Sequence, residues 1–255
     1  MIQTAERASS HSIVDNYVYQ RCLFAYHEVK ARLSGRVLEI GTGSGLGVEI
    51  LAASCDSLLT IDKFGSDVDF TKYPNTQFRQ MEIPPLTGLE DKSFDFVISF
   101  QVIEHIQDDQ AYVREIQRVL KDGGQFILTT PNKLQSLTRN PWHIREYTGN
   151  ELENLLLSKG FKSVEKLGTF GSKKTNDYID KNRESVKRIT KYDFLNLQYR
   201  LPRRLLQIPY DLFNRLNRKI IAKENTDLST SISVQDFFVS AQNDESLDLF
   251  FIATK

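Results

Sequence analysis

A glycine-rich turn directly after a short apolar run limits this chain to a small number of folds. Glycines stand at positions 41, 43, 45 and 47, and the apolar run VLEI occupies residues 37–40. Glycine lets a backbone approach a ligand closely, and a helix that begins after such a turn points its N–H groups and its positive dipole end at that ligand. The segment therefore predicts a strand, a turn and a helix that together bind a nucleotide-like molecule.

Apolar strands alternate with helices along much of the chain. The pattern predicts strands at residues 37–40, 58–61, 76–81, 94–100, 125–130, 163–170 and 247–253, and helices at residues 46–53, 109–120 and 151–158. Such alternation is typical of βαβ units, in which helices cover both faces of a parallel sheet. We therefore expect a Rossmann-like, doubly wound α/β fold with a mostly parallel seven-stranded sheet.

Helical segments flank and interrupt this predicted core. Residues 1–34 end at Gly35 after a loosely helical spacing of apolar residues. Residues 171–246 lack the strand–helix alternation and are too long for a plain loop inside a compact domain. The expected organisation is an N-terminal helical segment at 1–34, a core at 35–170 and 247–255, and an inserted, mainly helical cap at 171–246 before the last strand.

The bulk composition argues against several classes of protein. The 33 basic and 33 acidic side chains give a formal net charge of zero, which is unusual for a dedicated nucleic-acid-binding protein. Cys22 and Cys55 form no Cys/His cluster, so nothing supports a structural zinc or another metal site. The first twelve residues are polar, and no apolar run approaches the roughly 18 residues that cross a bilayer. We expect a cytoplasmic protein.

Three residues around the turn narrow the choice of cofactor. A dinucleotide fold has the pattern GxGxxG, whereas this chain has Leu46 at the position of the third glycine. Glu39 precedes the turn, and its carboxylate suits a ligand with an ammonium group better than one with a pyrophosphate. Asp62 ends the second predicted strand, where an acidic side chain can accept hydrogen bonds from both ribose hydroxyls. S-adenosylmethionine has both a ribose and an ammonium group, so these residues favour it.

Four stretches in order carry a family resemblance. The segments VLEIGTGSGLG, LLTID, DKSFDFVISFQVIEHIQD and REIQRVLKDGGQFILTTPN resemble the successive motifs of the class I S-adenosylmethionine-dependent methyltransferases. Within that class they are most similar to the broad group that includes the ubiquinone and menaquinone methyltransferases. The resemblance covers roughly residues 35–170 and the final strand. It implies the same fold, cofactor and reaction type for this chain.

The resemblance also implies a set of cofactor-binding residues, each with a position on the ligand. Gly41, Thr42 and Gly43 contact the methionine part, and Asp62 holds the ribose. Gln80 and Met81 flank the adenine, and Phe100 and Gln101 lie under the sulfonium region. Glu39 and Lys63 complete the predicted cofactor-binding set. Many members of the group have aspartate where this chain has Gln80. An amide oxygen can also accept the bond from the adenine amino group.

Two histidines are candidates for work on the methyl acceptor. A hydroxyl acceptor needs a base to take its proton, and histidine is the most frequent one. His105 follows the fourth predicted strand, where open α/β sheets place their ligands, and a Glu-His pair recurs there in the resembled group. The alternative is that His105 only fixes its loop through packing and hydrogen bonds.

The second candidate lies in the string NPWHIREYT at residues 140–148. It resembles a string found in bacterial methyltransferases that act on sugars, lipids and secondary metabolites, which makes His143 a candidate base and Trp142, Arg145 and Tyr147 candidate acceptor contacts. Structural alternatives exist for some of these residues. Arg145 and Glu146 can simply pair, and Thr148 with Glu151 fits a helix capping box.

The predicted cap is strongly basic. Between Lys173 and Glu224 the chain has fourteen basic and six acidic residues, a local charge of +8 in a chain of zero net charge. A helix beginning near Pro209 places Leu212, Phe213, Leu216 and Ile220 on one face. Such a helix either lies on an anionic membrane surface, grips an acidic acceptor, or packs its apolar face on the domain. We expect an anionic acceptor, such as a lipid-linked or nucleotide-linked intermediate.

Together these patterns predict a methyltransferase that uses S-adenosylmethionine to O-methylate a glycan, a lipid-linked intermediate or a secondary metabolite. Alternatives of the same class are carbon or nitrogen methylation, as in quinone biosynthesis. Alternatives of other classes are a nicotinamide-dependent oxidoreductase, which Leu46 and Glu39 disfavour, and a non-catalytic binding protein with the same fold. No nucleic-acid partner is expected.

Overall fold

The computed structural model describes residues 13–191, 193 and 196–255. The first twelve residues of the predicted N-terminal segment lie outside the described residues. The strands are β1 (Arg36–Ile40), β2 (Ser57–Asp62), β3 (Thr76–Gln80), β4 (Phe94–Phe100), β5 (Leu120–Pro131), β6 (Ser163–Gly171), β7 (Phe237–Ala241) and β8 (Asp248–Thr254). The α-helices are α1 (Asn16–Val29), α2 (Val48–Ala52), α3 (Asp109–Val119), α4 (Gly149–Ser158), α5 (Lys173–Thr190), α6 (Leu197–Arg200), α7 (Arg203–Glu224) and α8 (Thr226–Ser231).

The strands form one mixed sheet in the order β3-β2-β1-β4-β5-β8-β6-β7. β1 runs parallel to β2 and β4, β2 parallel to β3, and β4 parallel to β5, whereas β8 is antiparallel to β5 and β6. β1 lies between β2 and β4, which places the segment after β1 among the carboxyl ends of neighbouring parallel strands. Open α/β sheets bind their ligands at that edge. The predicted Rossmann-like α/β class is therefore confirmed.

The sheet has eight strands rather than the predicted seven. The additional strand, β7, lies at the edge of the sheet and inside the segment that was predicted to be a helical insertion. It has only five residues, most of them not buried, and polar residues flank it. A short edge strand of this kind lacks the continuous apolar pattern that identified the buried strands. The helical insertion thus ends before β7, not before the last strand.

Two compact units make up the chain. The sheet unit consists of Ala25–Gln135, Arg145–Phe170 and Val239–Lys255, and the helical unit consists of the described residues up to Phe24, Ser136–Ile144 and Gly171–Phe238. In this division the second half of α1 contributes buried residues to the sheet core, and β7 joins the sheet. The predicted domain boundaries stay predictions.

The core of the sheet unit lies on both faces of the central strands. Successive residues of β1 alternate between two buried clusters: Val37 belongs to one cluster and Leu38 to the other. Tyr26 and Val29 of α1 belong to the same cluster as Val37, whereas Tyr112 and Ile116 of α3 belong to the opposite cluster. Burial on both faces explains why these parallel strands are apolar along their whole length.

The helical unit is held together by polar as well as aromatic contacts. Tyr17 stacks on Tyr178 of α5 with ring centroids 4.7 Å apart, and Arg218 of α7 forms an ion pair of 3.0 Å with Asp15. The predicted helix near Pro209 exists, but it begins at Arg203 and contains that proline. Within the described residues, no helix combines the length and hydropathy of a membrane span.

Candidate cofactor site

The glycine turn after β1 has the backbone geometry that only glycine adopts readily. Gly41, Gly43 and Gly45 have φ angles of 95°, 55° and 82°. The amides of Gly41 and Thr42 both donate to the carbonyl oxygen of Ile61, at 2.8 and 3.1 Å, and these bonds tie the turn to the end of β2. A Cβ on Gly41 would lie 2.5 Å from Cγ2 of Val102, whereas a Cβ on Gly43 would meet no atom closer than 4.0 Å. There is thus no room for a side chain at Gly41, whereas Gly43 has an open side on which a ligand could lie.

The helix after the turn is shorter than predicted. α2 has five residues, where the sequence predicts a helix over 46–53. A Cβ on Gly47 would lie 1.9 Å from Cε1 of Tyr26, so the Tyr26 ring lies directly against the backbone at the start of α2. Because α2 is so short, the capacity to hold a ligand depends on the backbone of the turn rather than on a helix dipole.

Asp62 lies at the end of β2 and is oriented by two backbone amides. Its Oδ2 accepts a hydrogen bond of 2.8 Å from the amide of Gly43, and its Oδ1 accepts one of 2.9 Å from the amide of Phe64. A carboxylate has about four lone-pair sites, so these two bonds leave room for further donors. The geometry fits the two hydroxyls of a ribose, which would bind beside the open side of Gly43.

Glu39 is buried beneath the turn. It is 1% exposed, and its carboxylate accepts hydrogen bonds from the Tyr26 hydroxyl at 2.9 Å and from the Thr60 hydroxyl at 2.5 Å. Burial raises the pKa of Glu39 to about 7, although these two hydrogen bonds oppose the rise; the neighbouring Asp62 adds to it. The predicted position of Glu39 at the mouth of the turn is therefore wrong in detail. Its carboxyl group lies beneath the turn, within the fold.

Sequence reasoning missed the two residues that hold Glu39. Thr60 is the strand partner of Glu39 in the parallel pairing of β1 with β2, and its hydroxyl also lies 2.6 Å from that of Thr42 in the turn. A threonine inside the apolar run of β2 was the available signal. Nothing in the local sequence marks Tyr26, since it comes from α1 and meets Glu39 only in the folded chain.

The predicted adenine residues lie at the end of β3. The amide of Met81 donates to the carbonyl oxygen of Asp62 at 2.8 Å, and the Gln80 side-chain amide donates to the carbonyl oxygen of Lys63 at 3.0 Å. These bonds align the ends of β2 and β3. The Lys63 ammonium lies over the exposed ring of Phe64, 5.0 Å from its centroid. Phe64 is a candidate contact that the sequence analysis did not name, and an exposed aromatic residue two positions after Asp62 was the signal.

Phe100 and Gln101 lie where β4 ends. The Phe100 ring meets the edge of Tyr26 with centroids 4.9 Å apart. Gln101 has a φ of 56°, and its side-chain amide donates to Thr129 at 3.2 Å and to Asp248 at 3.1 Å. A left-handed conformation is uncommon for a residue other than glycine, and such residues concentrate at functional turns. The structure therefore brings the predicted cofactor residues of β1, β2, β3 and β4 to one edge of the sheet.

His105 belongs to a short 3₁₀ turn after β4. Its amide donates to the carbonyl oxygen of Val102 at 2.9 Å, and Val102 is the residue that closes the turn beneath Gly41. The preceding Glu104 is buried and accepts a hydrogen bond of 2.9 Å from Thr130 of β5. Glu104 thus anchors the segment, and His105 is half-buried at the same edge as the glycine turn.

Tyr147 does not have the exposure that acceptor contact requires. It is 1% exposed, belongs to the sheet core, and donates its hydroxyl to Asp109 at 2.8 Å. Burial and this bond raise the pKa of Tyr147. The predicted substrate role of Tyr147 is therefore contradicted by its burial. Arg145 is exposed and pairs with the same Asp109, rather than with Glu146. The capping box of Thr148 and Glu151 at the start of α4 is confirmed.

Trp142 and His143 lie in the helical unit. The Trp142 ring nitrogen donates to Asp211 of α7 at 3.0 Å, and its amide donates to the Asn140 side chain at 3.0 Å. Nε2 of His143 lies 2.8 Å from the Asn140 side-chain amide nitrogen. The sequence offered no structural explanation for Trp142, and its bond to α7 now provides one. The acceptor roles of Trp142 and His143 stay predictions.

Comparisons with known proteins identify the family of this chain. A family model described as a methyltransferase domain matches residues 16–166. A Mycobacterium tuberculosis protein named "Probable S-adenosylmethionine-dependent methyltransferase" is 33% identical over 182 residues, which are 68% of this chain and 66% of that protein. A ubiquinone biosynthesis O-methyltransferase from Xanthomonas oryzae is 31% identical over 41% of this chain and 48% of its own length.

The fold also matches solved structures. The crystal structure of an S-adenosylmethionine-dependent methyltransferase from Thermotoga maritima superposes with a TM-score of 0.55 and 17% identity, covering 94% of this chain and 92% of that chain. At this identity the likeness concerns the fold alone. The matched region of this chain spans just under two thirds of the length of the mycobacterial relative and nearly all of the Thermotoga chain.

Proposed function

This chain belongs to the class I S-adenosylmethionine-dependent methyltransferases, and from that premise we propose that it methylates an oxygen atom of a glycan, a lipid-linked intermediate or a secondary metabolite. The proposal rests on one observation above all: the half-buried His105 lies at the same edge of the sheet as the glycine turn. A hydroxyl acceptor needs a base there, whereas many carbon acceptors ionise without one.

The residues at this edge fit S-adenosylmethionine in shape and charge. The bound cofactor supplies an electrophilic methyl group on its sulfonium sulfur. The open side of Gly43 admits the methionine part, and Asp62 accepts hydrogen bonds from the ribose hydroxyls. Glu39 lies beneath the turn, and because burial raises its pKa to about 7 its carboxyl is partly ionised near neutral pH, which favours the ammonium group of the cofactor.

His105 takes the proton of the acceptor hydroxyl on an imidazole nitrogen as the oxygen attacks. Holding the acceptor in line with the methyl group and excluding water account for much of the rate in such displacements. Glu104, fixed by Thr130, keeps the His105 turn in place and acts as a positioning residue. The basic residues between Lys173 and Glu224 support an anionic acceptor.

Two measurements on the full chain test the proposal. First, calorimetric titration with S-adenosylhomocysteine and with NAD should give saturable binding of the first only; NAD binding alone would indicate an oxidoreductase instead. Second, labelled S-adenosylmethionine should transfer its methyl group to a hydroxyl compound in a fractionated extract.

The base role is tested with that acceptor in hand. His105→Ala should lower kcat by about 100-fold or more while leaving the affinity for S-adenosylhomocysteine unchanged. His27→Ala, which removes a histidine from α1, is the matched control and should retain the activity. Equal activity of both variants would favour carbon or nitrogen methylation.

A further inference from the structure

Helix α7 presents an apolar row to solvent instead of to the interior. Its exposed apolar side chains are Leu205, Ile208, Leu212, Phe213, Leu216 and Ile220, and Ile208 is 81% exposed. Spacings of three and four residues place this row along one face of the helix. The opposite face carries the buried residues Asn217 and Ile221. The apolar face predicted from the sequence therefore does not cover the domain core.

Basic side chains line one border of this apolar row. With 3.6 residues per turn, the exposed Arg204 and Arg215 project side by side along one flank, and the exposed Lys219 lies between that flank and Leu212. The acidic residue closest to that flank is Asp211, which accepts the hydrogen bond from the Trp142 ring. Glu224 is exposed only at the end of the helix. The flank thus carries an excess of positive charge.

An apolar row with a basic border matches the interface of an anionic bilayer. Apolar side chains of such helices enter the boundary of the acyl chains, while lysine and arginine contact the phosphate groups above them. A nucleic acid offers phosphates but no place for a row of leucine and isoleucine side chains. Antiparallel pairing with a second copy of α7 would bring the two basic borders together, where they repel each other.

We infer that α7 binds the surface of an anionic lipid bilayer, with Ile208 and Leu212 inserted and Arg204, Arg215 and Lys219 against the headgroup phosphates. This binding does not require the cofactor, because the residues that carry it belong to the helical unit and the cofactor residues belong to the sheet unit. It predicts that the protein works at a membrane surface.

Vesicle sedimentation of the full chain tests the inference. The protein should bind vesicles that contain about one third phosphatidylserine, and bind at least tenfold more weakly to pure phosphatidylcholine vesicles or at 0.5 M salt, on the order of the loss expected from screening. Failure to bind anionic vesicles would overturn the inference.

Two sets of variants separate the contributions. The triple variant R204E, R215E and K219E should abolish binding, while K181E, K187E and K191E, which change the net charge equally around α5, should reduce it far less. Ile208→Asn with Leu212→Asn should also abolish binding, and Leu157→Asn, an exposed leucine of α4, should not. Equal effects of the test and control variants would contradict a specific role of α7.

Folding and self-association are checked in the same samples. Circular dichroism and melting temperature should be unchanged in all variants, since the substituted side chains are exposed. If light scattering instead shows a dimer that Ile208→Asn with Leu212→Asn dissociates, and vesicles do not bind, the row is a contact between copies and the inference is wrong.

Discussion

At the scale of single residues, the proposed ribose contact makes Asp62 the residue whose loss we expect to weaken cofactor binding. Its carboxylate is fixed by the amides of Gly43 and Phe64, so it is ready to accept the ribose hydroxyls. Hydrogen bonds to charged groups contribute about 1.5 to 3 kcal/mol, so Asp62→Ala should weaken S-adenosylhomocysteine binding by about 10- to 100-fold in a calorimetric titration. Asp69→Ala, which removes an exposed carboxylate from the same connection, should leave the affinity unchanged. Equal affinities of the two variants would show that the ribose lies elsewhere.

Glu39 should make the stability of the fold depend on pH. Its pKa rises from an ordinary 4.5 to about 7 in the folded chain. Between these values the folded state keeps the proton and the unfolded state releases it, so the stability that Glu39 contributes is complete below pH 4.5 and lost as pH rises through about 7. Between pH 4 and pH 8 the free energy of unfolding of the native chain, measured in urea, should fall by about 3 kcal/mol relative to that of Glu39→Gln, because glutamine does not titrate. A difference that does not change with pH would contradict an ionisable Glu39 in this position.

The sequence predicted those residues whose roles follow from their position on a strand or turn. Asp62 ends an apolar run, and that is enough to place it at the ligand edge of a parallel sheet. Tyr26 and Thr60 were missed because their roles depend on which strand and helix lie beside Glu39, and one chain without its fold does not reveal that register. Tyr147 was misassigned for a related reason: a tyrosine near polar neighbours can equally bond to a buried carboxylate.

At the scale of elements, the turn after β1 tolerates no side chain beneath it. Gly41→Ala combines a left-handed φ with a contact of 2.5 Å to Val102, whereas Gly123→Ala has a φ of 81° and no neighbouring atom within 4 Å. Strain from φ alone costs about 1 to 2 kcal/mol. In urea unfolding, both variants should lower the free energy of unfolding by this amount, and Gly41→Ala should lower it further because of the contact with Val102. Only Gly41→Ala should also bind S-adenosylhomocysteine more weakly, by at least tenfold. Unchanged cofactor affinity in Gly41→Ala would separate the turn from the site.

The elements that the sequence predicted well are those buried on both faces. β4 was predicted with its observed ends, since every residue of such a strand contributes to the apolar signal. β7 was missed because it follows a long segment without strand–helix alternation, whereas β3, an edge strand of the same length, lies within the alternating pattern. α2 was predicted too long because so short a helix carries few periodic positions. The apolar face of α7 was recognised, yet its exposure was not, because periodicity identifies a face and not what covers it.

At the scale of the whole molecule, the net charge conceals a separation of charge. The segment from Lys173 to Glu224 carries +8, so the remainder of a chain with zero net charge carries −8. Surface charge acts locally, within roughly 8 Å at physiological ionic strength. A basic helix can therefore meet an anionic surface although the chain as a whole is neutral. The neutral total gave no information on α7.

The division into two units also predicts which backbone amides the cofactor protects from hydrogen exchange. All the residues that hold the cofactor in our proposal belong to the sheet unit, and a ligand that binds only the folded state stabilises what it contacts by mass action. In hydrogen exchange with S-adenosylhomocysteine at about 100 times its Kd, the amides of residues 40–47 and 61–64 should exchange at least tenfold more slowly, since such an excess corresponds to about 2.7 kcal/mol. Asp62→Ala at the same ligand concentration should show a smaller gain. Protection gained only within Gly171–Phe238 would place the ligand in the helical unit and refute the assignment of the site.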